Sequence, residues 1–292
     1  MSDYVRQFGS SSIFATAASW VVLSDIEQRI KTKIEAVGTP LKDWDINIYR
    51  GILTGYNEAF IIDGKKKDEL ISQDPKSAEI IRPILRGRDI KRYTYEFADL
   101  WLINAHNGIR EKGLEPINII HYPAVKDHLD KYYWELEKRA DKGVTPYNLR
   151  NCAYMDDFNR QKIGWGNLAL NSQFTLIESG YLINAPSAFF CTEDLYLLAI
   201  LNSTLSSYYI KSLGVSRNGG YFEFKPMFVE QFPIPKISEI QKEEFIQLAI
   251  QIQNSNSVAQ IKELEIKLNS ITYKLYHLND EEIKFIENTP TE

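Results

Sequence analysis

Two prolines in the segment QFPIPK (231–236) divide this chain more sharply than any other feature. Each proline removes a backbone N–H and disfavours helix in the residue before it, so the segment must run extended. The text on either side differs. Upstream, short apolar runs bounded by Gly, Asn and Asp read as strands: AFIID (59–63), LWLIN (100–104) and GYLINA (180–185). Between them, helical spacing predicts one helix in AVKDHLDKYYWELEKRADKG, through Val125, Leu129, Tyr132 and Leu136, with Gly143 as its stop. A second is predicted in TEDLYLLAILNSTLSSYYIKSLG, capped by Thr192 and ended by Gly214. There is no regular βαβ alternation, so residues 1–236 read as an α+β fold around a mixed sheet.

Residues 237–292 read as a helical tail or spacer. SEIQ (238–241) is a capping box, and Asn279 with Glu282 can start a last short helix. Between them Ile261, Leu264, Leu268, Ile271, Leu275 and Leu278 form a seam of about three heptads. Such a seam either packs on its own domain, the simpler reading, or acts as a rigid spacer or dimer contact.

Neither half explains itself chemically. No GxSxG, Walker A or GxGxxG string occurs, and the four His and two Cys have neither HExxH nor CxxC spacing. His121 and His128 read as surface or capping residues, and Cys191 as a core thiol. Two ExK triplets, at Glu265 and Glu282, have the residue types of a metal-dependent nuclease; they fall in the helical tail and read as solvated charges. The longest apolar run, residues 12–23, is short of the roughly 20 residues that span a bilayer and reads as a buried element. With two Cys and no membrane span, a soluble protein of a reducing cytoplasm is expected.

The charge pattern is more informative. The chain carries a formal charge of −5, yet IRPILRGRDIKRY (81–93) gathers five basic side chains against Asp89. Phosphate attraction is local, screened within about 10 Å, so one basic face is compatible with an acidic whole. Here Arg86, Arg88, Lys91 and Arg92 suit phosphates and guanine edges, Asp89 can orient an arginine, and Tyr93 offers a ring or hydroxyl. The plainer alternative is a solvated turn in which Asp89 pairs with Arg86 or Arg92. Two more segments fit such a face: FNRQKIGWGN (158–167), with Lys162 and Trp165, and VSRNGGYFEFK (215–225), with Arg217, Asn218 and Lys225. Asn-Gly is also the common two-residue turn, so the last segment can be an ordinary hairpin. Asn57 completes the candidate contacts.

An ordered series of segments carries a family resemblance. GILTGYNEAFIID (51–63), IRPILRGRDIKRY, a WLI strand, YPAVKDHLDKYYWELEKRADKG and YNLR come first, followed by KIGW, LLAILNSTLSSYYI and FEFKPMFVEQFPIP. This resembles the C-terminal target recognition domain of type IIG restriction–modification enzymes, the TaqI-like or Eco57I-like adenine methyltransferases. LEIKLNSITYKLYHLNDEEIKFIE is similar to the family's closing helices. The resemblance implies recognition of a short duplex DNA sequence. A neighbouring catalytic domain, in an N-terminal methyltransferase/endonuclease part of the enzyme, would then flip an adenine and methylate its N6 from S-adenosylmethionine. In many relatives a nuclease, with Mg, cuts unmodified DNA.

The family's catalytic Asn-Pro-Pro-aromatic string is missing; Asn184-Ala185-Pro186-Ser187 is nearest. The chain is therefore expected to be non-catalytic alone, a C-terminal piece of a longer enzyme or a split gene product. An alternative is the specificity subunit of a type I-like complex, docking on separate methyltransferase subunits through its C-terminal helices. A third, a nuclease using the ExK carboxylates, ranks far behind.

Overall fold

The computed structural model describes residues 23–289. Of the apolar run 12–23, all but Leu23 lies outside the described residues. Helix α1 (Asp25–Val37) leads into strands β1 (Thr39–Pro40) and β2 (Ile48–Arg50), then α2 (Asn57–Phe60), β3 (Ile61–Asp63) and α3 (Gly64–Gln73). Strands β4 (Ile81–Leu85) and β5 (Leu100–Ile103) precede helices α4 (Pro123–Asp130) and α5 (Tyr133–Lys138). Five strands follow: β6 (Lys162–Trp165), β7 (Leu168–Ala169), β8 (Phe174–Ile177), β9 (Leu182–Ile183) and β10 (Ala188–Cys191). Helices α6 (Leu195–Leu201) and α7 (Thr204–Leu213) lead to the hairpin β11 (Ser216–Arg217) and β12 (Tyr221–Glu223). Then come α8 (Pro226–Val229), β13 (Pro233–Ile234) and the long helices α9 (Glu239–Asn254), α10 (Val258–Leu275) and α11 (Asp280–Asn288). The fold is α+β, as expected.

A four-stranded antiparallel sheet, in the order β2-β10-β6-β8, stands at the centre. Successive side chains of a strand point to opposite faces, and here both faces are buried. Ile163, Phe174 and Phe190 face one core with α1, α6, α7 and the tail helices. Phe189 and Ile177 face a second core with β4, β5 and α4. That second core is backed by a sheet in the order β3-β5-β4-β9, whose β4-β9 pair is parallel.

The helical tail does not stand apart. Leu264, Leu268 and Tyr276 are buried in the first core with Ile30 and Ile34 of α1, and Ile261, Ile271, Leu275 and Leu278 pack against it. The heptad seam is thus turned onto its own fold. Lys33 binds Glu282 at 2.7 Å, and the Tyr276 hydroxyl donates to Pro233 O at 2.7 Å. The extended reading of QFPIPK holds, with a finer role: β13 pairs antiparallel with β1. Both capping boxes form, at Ser238–Gln241 and at Asn279–Glu282.

Several local expectations are corrected. The helix expected over 124–143 is two, α4 and α5, and ends at Lys138 rather than Gly143. Arg139 leaves it because its guanidinium turns inward, donating to the carbonyls of Thr54, Pro146 and Asn148. The second long helix is broken at Asn202. Asn202 Oδ1 accepts from Phe174 N–H and its Nδ2 donates to Phe174 O, both at 2.9 Å, and Ser203 starts a new helix as its cap. Asp194, not Thr192, caps the first half. His128 is buried, its Nε2 2.9 Å from Ala59 O, rather than on the surface. Glu282 is 1 % exposed and Glu265 pairs with Arg92 at 3.0 Å, so neither ExK glutamate is a solvated charge.

Candidate nucleic-acid interface

The sequence singles out three basic segments far apart in the chain. The fold brings parts of all three to one edge, the middle segment through residues 166–168 and not through Arg160 or Lys162. Ile52, Asn184 and Leu85 lie side by side on parallel chains: Ile52 bridges Asn184, and Asn184 N–H donates to Leu85 O at 2.8 Å. Their continuations, 53–57, 185–187 and 86–89, therefore leave the sheets at the same end. Ala188 opposes Trp165 in antiparallel register, so residues 166–168 join them there.

Contact between these segments is close. A Cβ on Gly87 would lie 2.9 Å from Ser187 Oγ and 3.4 Å from Gly166 Cα, so only glycine fits both sides without a shift. The hairpin is tied in next. Trp165 Nε1 donates to Phe224 O at 2.7 Å, Phe224 N–H donates to Asn167 O at 2.9 Å, and β12 pairs with β7. The result is a rim made of the loop 86–89, the turn 166–168 and the hairpin 215–225.

The candidate residues separate into those the rim displays and those it consumes. Arg88, Arg217 and Asn218 are exposed. Arg217 sits on β11 opposite Tyr221, and the tip Gly219-Gly220 takes positive φ values of 79° and 76°. Its Nε donates to Glu223 Oε1 at 2.8 Å, and Nη2 reaches the same oxygen. Lys225, half-buried, binds Glu223 Oε2 at 2.6 Å. These two cations hold the Glu223 carboxyl below its usual range, the Lys225 bond contributing most and the Arg217 bond next. Asn57 is exposed; its Oδ1 accepts from the Thr54 hydroxyl at 2.6 Å.

Four expected contacts are corrected by burial, because a side chain sealed in the core meets no DNA. Lys162 has no exposed surface: its ammonium donates to Phe158 O, Arg160 O and Glu178 O at 2.8–3.0 Å. Burial pulls its pKa down to about 8. Trp165 packs against Phe174 and Phe190. Tyr93 is buried, with a hydroxyl pushed well up by desolvation, and its backbone sits at φ 66°. Asp89 is buried and grips Arg86, whose Nε and Nη2 donate to its two oxygens at 3.0 and 2.8 Å.

Two further cations are diverted. Arg92 turns to the tail, through Glu265 and Asn202 O, and Lys91 Nζ donates to Arg88 O at 2.8 Å. In the dense positive stretch Arg86 and Arg92 are thus paired with carboxylates, Arg82 and Lys91 donate to backbone carbonyls, and Arg88 is the exposed cation.

Sequence reasoning missed Arg50 and Glu223. Arg50 is exposed, pairs in register with Ala188, and has no ion-pair partner among the described residues. A lone arginine at a strand end carries no local signal. Glu223 had one: it is the one acid of the segment 215–225, two residues after Tyr221 and two before Lys225. Among the described residues no cluster of His, Cys, Asp or Glu is arranged to hold a metal. No described helix is long and apolar enough to cross a membrane.

The architecture has solved counterparts. The chain is similar to the type IIL restriction–modification enzyme MmeI, solved in complex with DNA, at 13 % identity and a TM-score of 0.67, over 86 % of this chain and 36 % of that one. It is also similar to the type IIG restriction endonuclease BpuSI, at 13 % identity and a TM-score of 0.51, over 86 % of this chain and 33 % of that one. The chain thus spans about a third of the length of either enzyme. No curated protein matches it. The pattern that defines the TaqI-like C-terminal specificity domain matches residues 82–234, more than half of the chain and the whole span that builds the rim, and the chain belongs to that family.

Proposed function

We propose that this chain is a duplex-DNA target recognition module of a restriction–modification adenine-N6 methyltransferase. Recognition is done here, and S-adenosylmethionine-dependent methylation, with or without Mg-dependent cleavage, is done by a catalytic part outside this chain. The observation that carries the reading is the convergence of the loop 86–89 and the hairpin 215–225 on one rim, which displays Arg88, Arg217, Asn218 and Lys225 on a chain of net charge −5. Arginine and asparagine are the side chains that pair bidentately with guanine and adenine edges, while lysine and arginine hold phosphates. Arg50, at the end of β2, extends the positive surface.

The inward-turned heptad seam favours this reading over docking of separate methyltransferase subunits through the tail helices. Glu265 and Glu282 are spent in ion pairs, which disfavours a nuclease built on them. The test is selection of bound duplexes from a randomised pool at low and moderate salt. An enriched short motif with salt-sensitive affinity supports recognition. Absence of binding at low salt defeats it.

A further inference from the structure

Glu223 is the one acid in the hairpin 215–225, and its side chain is 5 % exposed although the small sheet around it is largely open. Burying a carboxylate in a thin surface sheet is costly unless it is paired. Here it is paired twice, with Arg217 on one oxygen and Lys225 on the other. We propose that Glu223 is a positioning residue that presents the outer edge of the Arg217 guanidinium to a guanine in the major groove. The inference rests on the DNA-recognition reading above.

The geometry of the pair supports this choice of base. A guanidinium carries five N–H groups in a rigid plane. Glu223 takes Nε and one side of Nη2. What remains outward is the end formed by Nη1 and Nη2, two parallel donors on a side chain that is 54 % exposed. O6 and N7 of guanine accept from such an edge side by side. An arginine already held in one orientation loses little rotamer freedom on binding, whereas a loose one settles on any phosphate in reach.

The second cation keeps the acid from repelling DNA. Arg217 and Lys225 against Glu223 leave the hairpin one positive charge, so the clamp orients without reversing the local attraction. Beyond Arg217 the tip carries Asn218 and two glycines, and the exposed Tyr221 lies directly across the hairpin from Arg217.

The test compares the full chain with E223Q, R217A and R217K by selection from a randomised duplex pool, with melting temperature measured alongside. R217K keeps a cation and the acid but loses the fork. Preference for a G·C pair at one position should fall about tenfold or more in all three variants, at the same position. E223Q should also bind unrelated duplexes more tightly, because a local negative charge is lost. Full preference retained by E223Q, relaxation at a different position from R217A, or uniform weakening with a lowered melting temperature would overturn the positioning role and leave recognition standing. A wild-type selection with no enriched motif would overturn both.

Discussion

The segments 158–167 and 215–225 look alike as text. Each sets a cation and an aromatic residue beside glycines. In the folded chain they do opposite work. Lys162 is sealed inside, its ammonium spent on three backbone carbonyls, with no carboxylate paired to it among the described residues. Arg217 projects from a hairpin, and a buried carboxylate grips it from behind. A cation that satisfies main-chain oxygens is a strut. Arg217, backed by a buried acid and still 54 % exposed, keeps part of its donor set unspent, whereas Arg86, backed in the same way by Asp89, is only 28 % exposed. Partner and exposure together, not charge density, separate a displayed cation from a strut.

Substitutions sharpen this contrast. The largest effect is expected for Trp165→Ala. It empties the core behind the rim and removes the bond to Phe224 O, so stability in denaturant should fall by about 3–5 kcal/mol. A loss under about 1 kcal/mol would show that the hairpin is held some other way.

Lys162→Met should cost about 3 kcal/mol, because three buried carbonyls lose their donor. It should leave the base preference of the folded fraction intact. The pH dependence gives a second check. Burial places the folded pKa at about 8 against an ordinary 10.5. Between those values the unfolded chain holds a proton that the folded chain has released, so wild-type stability should rise with pH relative to Lys162→Met. A flat difference across that window would mean the ammonium keeps its proton, held by its three acceptors.

Arg217→Ala inverts the pattern. Stability should fall by only about 1 kcal/mol, because the buried Glu223 carboxylate loses one partner and keeps Lys225, while discrimination at one base pair drops by about 1–3 kcal/mol in competition binding. Comparable losses on every sequence would reassign Arg217 to a phosphate. The smallest effect is expected for Arg88→Ala: all sequences weaken together, and the slope of log affinity against log salt flattens by about 1. An unchanged slope would take the loop 86–89 off the DNA.

Much of the architecture is legible from local pattern. The α+β texture, the strands at 61–63, 100–103 and 182–183, and both capping boxes follow from spacing and turn chemistry. What local pattern hides is long-range pairing. Nothing within five residues of Arg92 reveals that Glu265 takes it, and nothing near Asn202 reveals that Phe174 stops a helix there. The candidate site suffers in the same way. A run of arginines marks where positive charge is concentrated, but burial depends on which sheet face a residue falls on. Lys162 and Trp165 fall on opposite faces of β6, and both faces are interior. Arg50 and Glu223 matter through their neighbours across strands, which the linear text does not show.

The central sheet has a practical consequence. Phe189 and Phe190 are adjacent, yet each is wedged into a different core. The sheet is a party wall, and neither room stands if the other is demolished. Cutting the chain after residue 236 would not release a trimmed reading head. It would strip Leu264, Leu268 and Tyr276 from one side of the wall and leave greasy surface exposed. A fragment engineered that way should precipitate rather than read, and grafting the hairpin onto another scaffold would require carrying the wall with it.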